Sequence, residues 1–409
     1  MTIAEQLLAR IGRILDDQEF PRLTAGLNAQ VRLVVAERHI DLRIDQQRLA
    51  LGGAAATDIN VTITASEAAW KQLLQTPPPP TFHSFTALQL ANDAFEVSGD
   101  PLWIARCRPA LERLIERVVD APMRSSATPA RNVEQIQAGY RTVQIDDQPH
   151  HLYVERAGQG IPVLFLHTAG ADGRQFLGQM ADSGLAEAYA MFAVDMPFHG
   201  KSLPPVSWDG ASYTLTAARY LSWCVAILEQ VIQSKAIIVG GSMGAAIAMV
   251  LAAERPDLIH GIIAVEPPFR SKGRRNPYQH HAEVHGALHN ASFVRGLMSP
   301  ESPEAQRRQA AWIYSQGAPG IYSGDLAFYS DEFDGAVTGP RIDTARTPVS
   351  LLCGTYDYSA TPVDGEKLQQ VIAGAQLDVM PGLGHFPMCE NPDYFRPYLL
   401  QALQRMNAV

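Results

Sequence analysis

Residues 236–254 read AIIVGGSMGAAIAMVLAAE. Ala236 to Val239 make a short apolar run suited to a buried strand, Gly240-Gly241-Ser242-Met243-Gly244 a tight turn, and Ala245 onward a helix of small and apolar residues. A serine on such a turn stands above a sheet edge at the start of a helix, where backbone N–H groups favour developing negative charge. The glycines tolerate strained backbone angles and remove side chains where strand and helix pass closely. The same letters would also serve a plain helix–sheet contact, so the rest of the chain has to decide whether Ser242 is a nucleophile. Ala236 to Ala253 carries no charge and reaches the length of a membrane span, but Gly240, Gly241, Ser242 and Gly244 interrupt it, and strand plus buried helix explains it better.

The whole chain has 409 residues, enough for two or three domains with ample core. Hydrophobic residues make up 46% and charged residues 18%, which fits a soluble globular protein rather than a disordered one. A formal charge of -9 argues against a nucleic-acid or anionic-membrane surface as main partner. The start, MTIAEQLLARIGRILDDQEF, places Glu5, Asp16 and Asp17 among apolar residues and reads as an amphipathic helix, not a signal peptide. Cys107, Cys224, Cys353 and Cys389 are scattered and form no C-x-x-C pair; free buried thiols and a cytoplasmic location are expected.

Outward from the opening stretch, the chain alternates strands and helices from Tyr140 to the end. YRTVQIDD and HHLYVERAG suggest a hairpin turning near Gln148-Pro149; VLFLH (163–167), YAMFAVD (189–195), GIIAV (261–265), PVSLLCG (348–354) and AQLDVMPG (375–382) supply further strands. GRQFLGQMA, SYTLTAARYLSWCVAILEQVI (212–232), VDGEKLQQVIAG and NPDYFRPYLLQALQRM supply helices. The expected fold class is α/β: a doubly wound, mostly parallel sheet with an antiparallel start. Core residues would be 140–265 and 347–409. Between them, 266–346 breaks the rhythm for about eighty residues, too long for an ordinary loop, and is expected to be a lid over the carboxyl edge of the sheet.

Residues 1–120 have a different texture. VRLVVAE (31–37), IDLRID (40–45) and VTITAS (61–66) alternate as strands, Ser66 is placed to cap the helix EAAWKQLLQ, and FEVSGDPLWIARCRPALERLIERVVD reads as strand, turn at Gly99-Asp100-Pro101, and closing helix. That is a smaller α+β domain, joined by a linker at 121–139 rich in Ala, Pro, Ser and Arg. The order of its elements resembles the sterol-carrier-type lipid-transfer fold, which would imply a small hydrophobic-pocket domain. It is also where a contact between copies in a homo-oligomer is expected.

A nucleophilic Ser242 needs a base, an orienter for that base and donors for an oxyanion. His385, in GLGHFPMCENPDYF just past the last strand, is the base candidate. Asp357, in LLCGTYDYSATP after the penultimate strand, would orient it, giving the order serine, acid, histidine. Glu266, directly after GIIAV, is a rival acid that could reach the same histidine from another loop. The backbone N–H of Met243 and one from Thr168 or Ala169, in the loop after VLFLH, would hold the oxyanion.

These motifs, FLHTAGADG (165–173), VDMPFHGKS (194–202), VGGSMGA (239–245), GTYDYSATP (354–362) and GHFPMCENP (384–392), stand in the order of the α/β-hydrolase fold family, which residues 140–409 resemble. The resemblance implies Ser242, Asp357 and His385 as nucleophile, acid and base, with Met243 and Ala169 at the oxyanion hole. Two positions depart from the family pattern. Thr168 follows His167 where glycine is usual, so the second donor is Thr168 or Ala169, and the Thr168 hydroxyl could also face substrate. Phe198 stands where glycine is common, and its ring is expected to line the pocket.

The expected activity is hydrolysis of small to medium apolar or aromatic carboxylic esters through an acyl-enzyme, with no metal or organic cofactor. Alternatives on the same residues are a thioesterase or a C–C bond hydrolase of β-dicarbonyl or dienoic acids; from another class, a non-catalytic lipid-binding protein. The lid stretch from Glu266 carries Arg270, Lys272, Arg274, Arg275 and Arg295 with His280, His281, His285 and His289. His281 and His285 lack the glutamate of an H-E-x-x-H zinc site. One arginine or histidine of this stretch, with Arg270 and Arg275 as the candidates, is instead expected to bind a substrate carboxylate.

Overall fold

A computed structural model describes residues 1–45, 47–52 and 58–407. The chain forms two compact units, 1–124 with 277–304, and 125–276 with 305–409.

In the first unit, strands β1 (Ala29–Val35), β2 (Arg38–Asp45), β3 (Arg48–Leu51), β4 (Val61–Ala65) and β5 (Phe95–Gly99) form one sheet in the order β3-β2-β1-β4-β5. Only β1 and β4 pair in parallel. β1 buries Ala29, Val31, Leu33 and Val35 and leaves the intervening residues half-exposed, the period-two pattern of a sheet with one covered face. The covering helix Pro101–Val118 starts where Asp100 accepts the Leu102 N–H and Pro101 fills the first turn. β3 spans four residues, too few for its sequence to show alternation.

The span 266–346, expected as a single lid, divides between the units. Residues 277–304 belong to the first. Helix Gly286–Arg295 buries Ala291, Phe293 and Val294, and its Arg295 is bonded to Glu19 at 2.7 Å and Glu116 at 2.8 Å. Ser84 Oγ donates to Gly296 O at 2.7 Å. These buried pairs join a segment distant in sequence to Glu19 and to helix Pro101–Val118. His285 and His281 serve local backbone here, accepting from Leu288 N and Glu283 N.

The second unit holds β6 (Gln137–Ile145), β7 (Gln148–Ala157), β8 (Ile161–Leu166), β9 (Tyr189–Val194), β10 (Ala236–Gly241), β11 (Ile259–Val265), β12 (Val349–Gly354) and β13 (Gln376–Met380), in the order β13-β12-β11-β10-β8-β9-β7-β6. Only β7 runs against its neighbours. The β6–β7 turn falls at Asp146-Asp147, both at positive φ, rather than at Gln148-Pro149. Aspartate tolerates that left-handed two-residue turn, and Gln148 already pairs with Ile145. The long helix starts at Ala217, not 212, because the Thr216 side chain caps it by accepting the Arg219 N–H.

From β8 the chain goes to β9 on one side, while β10 lies on the other. That reversal opens a crevice at the carboxyl ends of β8 and β10, where ligands of such sheets bind. β10 leads directly into helix Met243–Glu254. A Cβ on Gly240 would lie 2.1 Å from Gly244 O, and one on Gly244 2.3 Å from Leu166 O, so both positions need glycine. Among the described residues, no helix is long and apolar enough to cross a membrane.

Candidate active site

Ser242 sits at the carboxyl end of β10 with φ 51° and ψ -107°, a conformation that costs energy in a residue with a Cβ and points the side chain away from strand and helix. The surroundings hold it there. Ser242 N donates to Val265 O at 2.8 Å on β11, and Ser242 O accepts from Ala246 N at 3.0 Å in the first turn of the helix.

The structure brings Ser242, His385 and Asp357 together. His385 Nε2 is 2.8 Å from Ser242 Oγ, and its Nδ1 is 2.6 Å from Asp357 Oδ2. All three are buried. With Nδ1 donating to the carboxylate, Nε2 is the acceptor for the serine proton. The other Asp357 oxygen accepts from Ser359 N at 2.6 Å and Ala360 N at 3.1 Å, so the loop after β12 orients the acid. Glu390 braces the histidine loop by accepting from Gly384 N at 2.7 Å.

Glu266, the rival acid, is fully buried at the end of β11 with φ 49°. Both its oxygens lie 2.9 Å from Gly354 N. Burial, and then the Asp357 carboxylate beside it, pushes its pKa well above the ordinary carboxylate range. Glu266 is thus bonded to Gly354 N, whereas the His385 imidazole is bonded to Asp357.

The loop after β8 sorts its N–H groups. Thr168 N donates to Gln175 Oε1 at 2.9 Å, and Gly170 N to Asp325 Oδ2 at 2.7 Å. Among the described residues, Ala169 N has no acceptor, nor has Met243 N at the first position of its helix. Of the two residues left open by the sequence, Ala169 is thus the one with a free donor. The Thr168 hydroxyl is occupied by Gln175 and the Tyr314 hydroxyl rather than open to a ligand.

Asp325, which no sequence motif marks, organises this corner. Its carboxylate is fully buried and accepts from Gly170 N, from His199 Nε2 at 2.8 Å and from Tyr213 OH at 2.7 Å. His199 Nδ1 faces Pro197 O at 2.9 Å, so both ring nitrogens meet acceptors; against the desolvation of burial, Asp325 raises its pKa. The adjacent His167 is the opposite case: burial first, then His199, lowers its pKa to about 4.

Three expected binding residues lie elsewhere. Arg270 pairs with Asp334 and Arg275 with Asp331, both on exposed surface, so each guanidinium is already matched by an aspartate of its own segment. Phe198, at φ 75° where glycine would be unstrained, packs on Tyr213 with ring centroids 4.8 Å apart and on Trp208 at 5.7 Å. It lines a groove of about 380 Å³ with Trp208, Tyr213, Arg219 and Trp223, and none of Ser242, Asp357 and His385 borders that groove.

A model of the alpha/beta hydrolase family matches residues 163–396, more than half of the chain. The chain belongs to the alpha/beta hydrolase family. This hydrolase is 26% identical over 274 residues to the pimeloyl-(acyl-carrier protein) methyl ester esterase of Chromobacterium violaceum, a match covering 62% of this chain and 98% of that one. It is 28% identical over 151 residues to the dihydrolipoyllysine-residue acetyltransferase component of the acetoin cleaving system of Cupriavidus necator, covering 36% of this chain but only 38% of the other. Among solved structures, the enol-lactonase of Burkholderia xenovorans aligns with TM-score 0.56 and 21% identity over 65% of this chain and all of its own, a likeness of fold. The family match starts at residue 163 and so carries nothing for the sterol-carrier-type resemblance of residues 1–120.

Proposed function

We propose that this hydrolase cleaves carboxylic esters through an acyl-enzyme on Ser242. The observation that carries the reading is the unbroken chain from Ser242 Oγ to His385 Nε2 at 2.8 Å and from His385 Nδ1 to Asp357 at 2.6 Å. Ser242 Oγ attacks the ester carbonyl carbon as its proton passes to His385 Nε2, and the carbonyl electrons move onto the oxygen facing Met243 N and Ala169 N. The tetrahedral intermediate expels the alkoxy group, which takes the proton back from His385. Water then repeats the sequence on the acyl-enzyme, releasing the acid and restoring Ser242.

The family relatives named as ester hydrolases support this bond class. Apolar or aromatic substrates of modest size are favoured by the rings around the crevice: Phe386 lies beside His385 at 4.8 Å, Tyr314 lies 5.5 Å from Phe386, and Tyr322 covers Gly170. Free cysteines agree with a reducing compartment.

A fluorophosphonate probe tests the assignment. Wild type should be labelled at the peptide containing Ser242 and the Ser242→Ala variant should not; equal labelling of the two would place the nucleophile elsewhere.

A further inference from the structure

Tyr329 lies in the wide helical turn Ala327–Glu332 and is 2% exposed. Its hydroxyl stands near the hydroxyls of Ser242 and Ser271, but forms no hydrogen bond of good geometry with either. Burial raises its pKa above that of a free phenol, so the hydroxyl keeps its proton and has a donor to offer. A buried donor without an acceptor is destabilising, and the packing around the ring gives the oxygen no purpose: the ring belongs to the apolar core, which phenylalanine would fill as well. An unpartnered donor next to a nucleophile is what a site waiting for a substrate oxygen looks like.

Which oxygen follows from where the other groups stand. Tyr329 is on the β11–β12 side of Ser242, within the electrostatic reach of Arg274 and Asp357. Ala169 follows β8, on the other side of β10. In the tetrahedral intermediate the carbonyl oxygen faces Met243 and Ala169, and the leaving oxygen faces His385 Nε2. The acyl substituent is left for Tyr329. Building on the acyl-enzyme reading, we infer that the Tyr329 hydroxyl, with Ser271 next to it, donates to an oxygen carried on the acyl chain and selects 3-oxygenated acyl esters over plain alkyl ones. Tyr329 is then a specificity-determining residue supplied by the 305–346 segment.

The test compares methyl 3-hydroxybutanoate with methyl butanoate in wild type and Tyr329→Phe. The ratio of their kcat/KM values should fall by ~10-fold in the variant, the worth of one buried hydrogen bond. A ratio unchanged within about twofold, a difference far smaller than that bond, overturns the inference. A second measurement needs no variant: 4-hydroxypentan-2-one should inhibit the wild type several-fold more tightly than pentan-2-one, and equal inhibition likewise overturns it. A wild type that takes no fluorophosphonate at Ser242 sinks the acyl-enzyme reading itself, and this inference with it.

Discussion

Two carboxylates, Asp357 and Glu266, meet at the corner between β11 and β12 with different hydrogen-bond partners. Asp357 accepts from His385 and two backbone N–H groups. Glu266 has one N–H between its two oxygens and no counter-charge, so it stays protonated. The consequence is testable in kinetics. Asp357→Asn should lower kcat by ~10⁴-fold through loss of the correct imidazole tautomer. Glu266→Gln, which keeps a neutral group of the same shape, should cost less than ~10-fold, since no charge is lost; the reverse ranking would make Glu266 the acid. Asp357 was legible in the sequence because its loop follows the penultimate strand in the serine–acid–histidine order. The neutrality of Glu266 was not, because it depends on burial and on the proximity of Asp357, which residue identity alone does not record. The pairing of Arg270 with Asp334 and of Arg275 with Asp331 was hidden for a related reason: positive charge in a sequence says nothing about the aspartates that fold against it.

At the scale of elements, the strand–turn–helix from Ala236 to Glu254 was readable because its glycines and its unbroken apolar run leave few alternatives. Its closeness to β8 makes a prediction. Gly244→Ala places a Cβ 2.3 Å from Leu166 O, against backbone that has little room to move, and should destabilise the protein by ~1–3 kcal/mol in urea unfolding. Asp325 could not be read at all, since it lies on helix Ile321–Leu326 in a stretch with no motif, and its partners Gly170, His199 and Tyr213 come from three other segments. Holding the loop that carries Ala169 is a matter of geometry, so Asp325→Ala should lower kcat by ~10²-fold while moving KM little. A pure KM effect would mean that the carboxylate serves substrate binding instead. The boundaries that shifted, of the long helix at Thr216 and of the β6–β7 hairpin at Asp146-Asp147, did so at a cap and a turn, where one side-chain oxygen or a left-handed residue decides the end of an element.

For the whole molecule, alternation of strands and helices disclosed the eight-stranded sheet, and a change of texture disclosed the N-terminal α+β unit. The division of 266–346 stayed hidden because it rests on tertiary burial: Arg295 finds Glu19 and Glu116 far away in sequence. The same unit buries Glu112, which accepts from Thr86 N at 3.0 Å and Thr86 Oγ1 at 2.7 Å, and whose pKa burial pushes up to about 7. Because the folded state then holds a proton that the unfolded chain has released, stability should fall as pH rises from the ordinary glutamate value of 4.5 through about 7. Glu112→Gln removes that slope. Relative to the variant, wild type should lose ~1–3 kcal/mol between pH 4.5 and 8, measured by urea midpoints; parallel profiles would mean that Glu112 titrates normally.

Trapping the acyl-enzyme tests the proposed reaction without intermediaries. Wild type mixed with a p-nitrophenyl ester and quenched within one turnover should show a mass increase equal to the acyl group, located by digestion on the peptide containing Ser242. No adduct, together with continued release of acid product, or an adduct on another residue, would contradict the account.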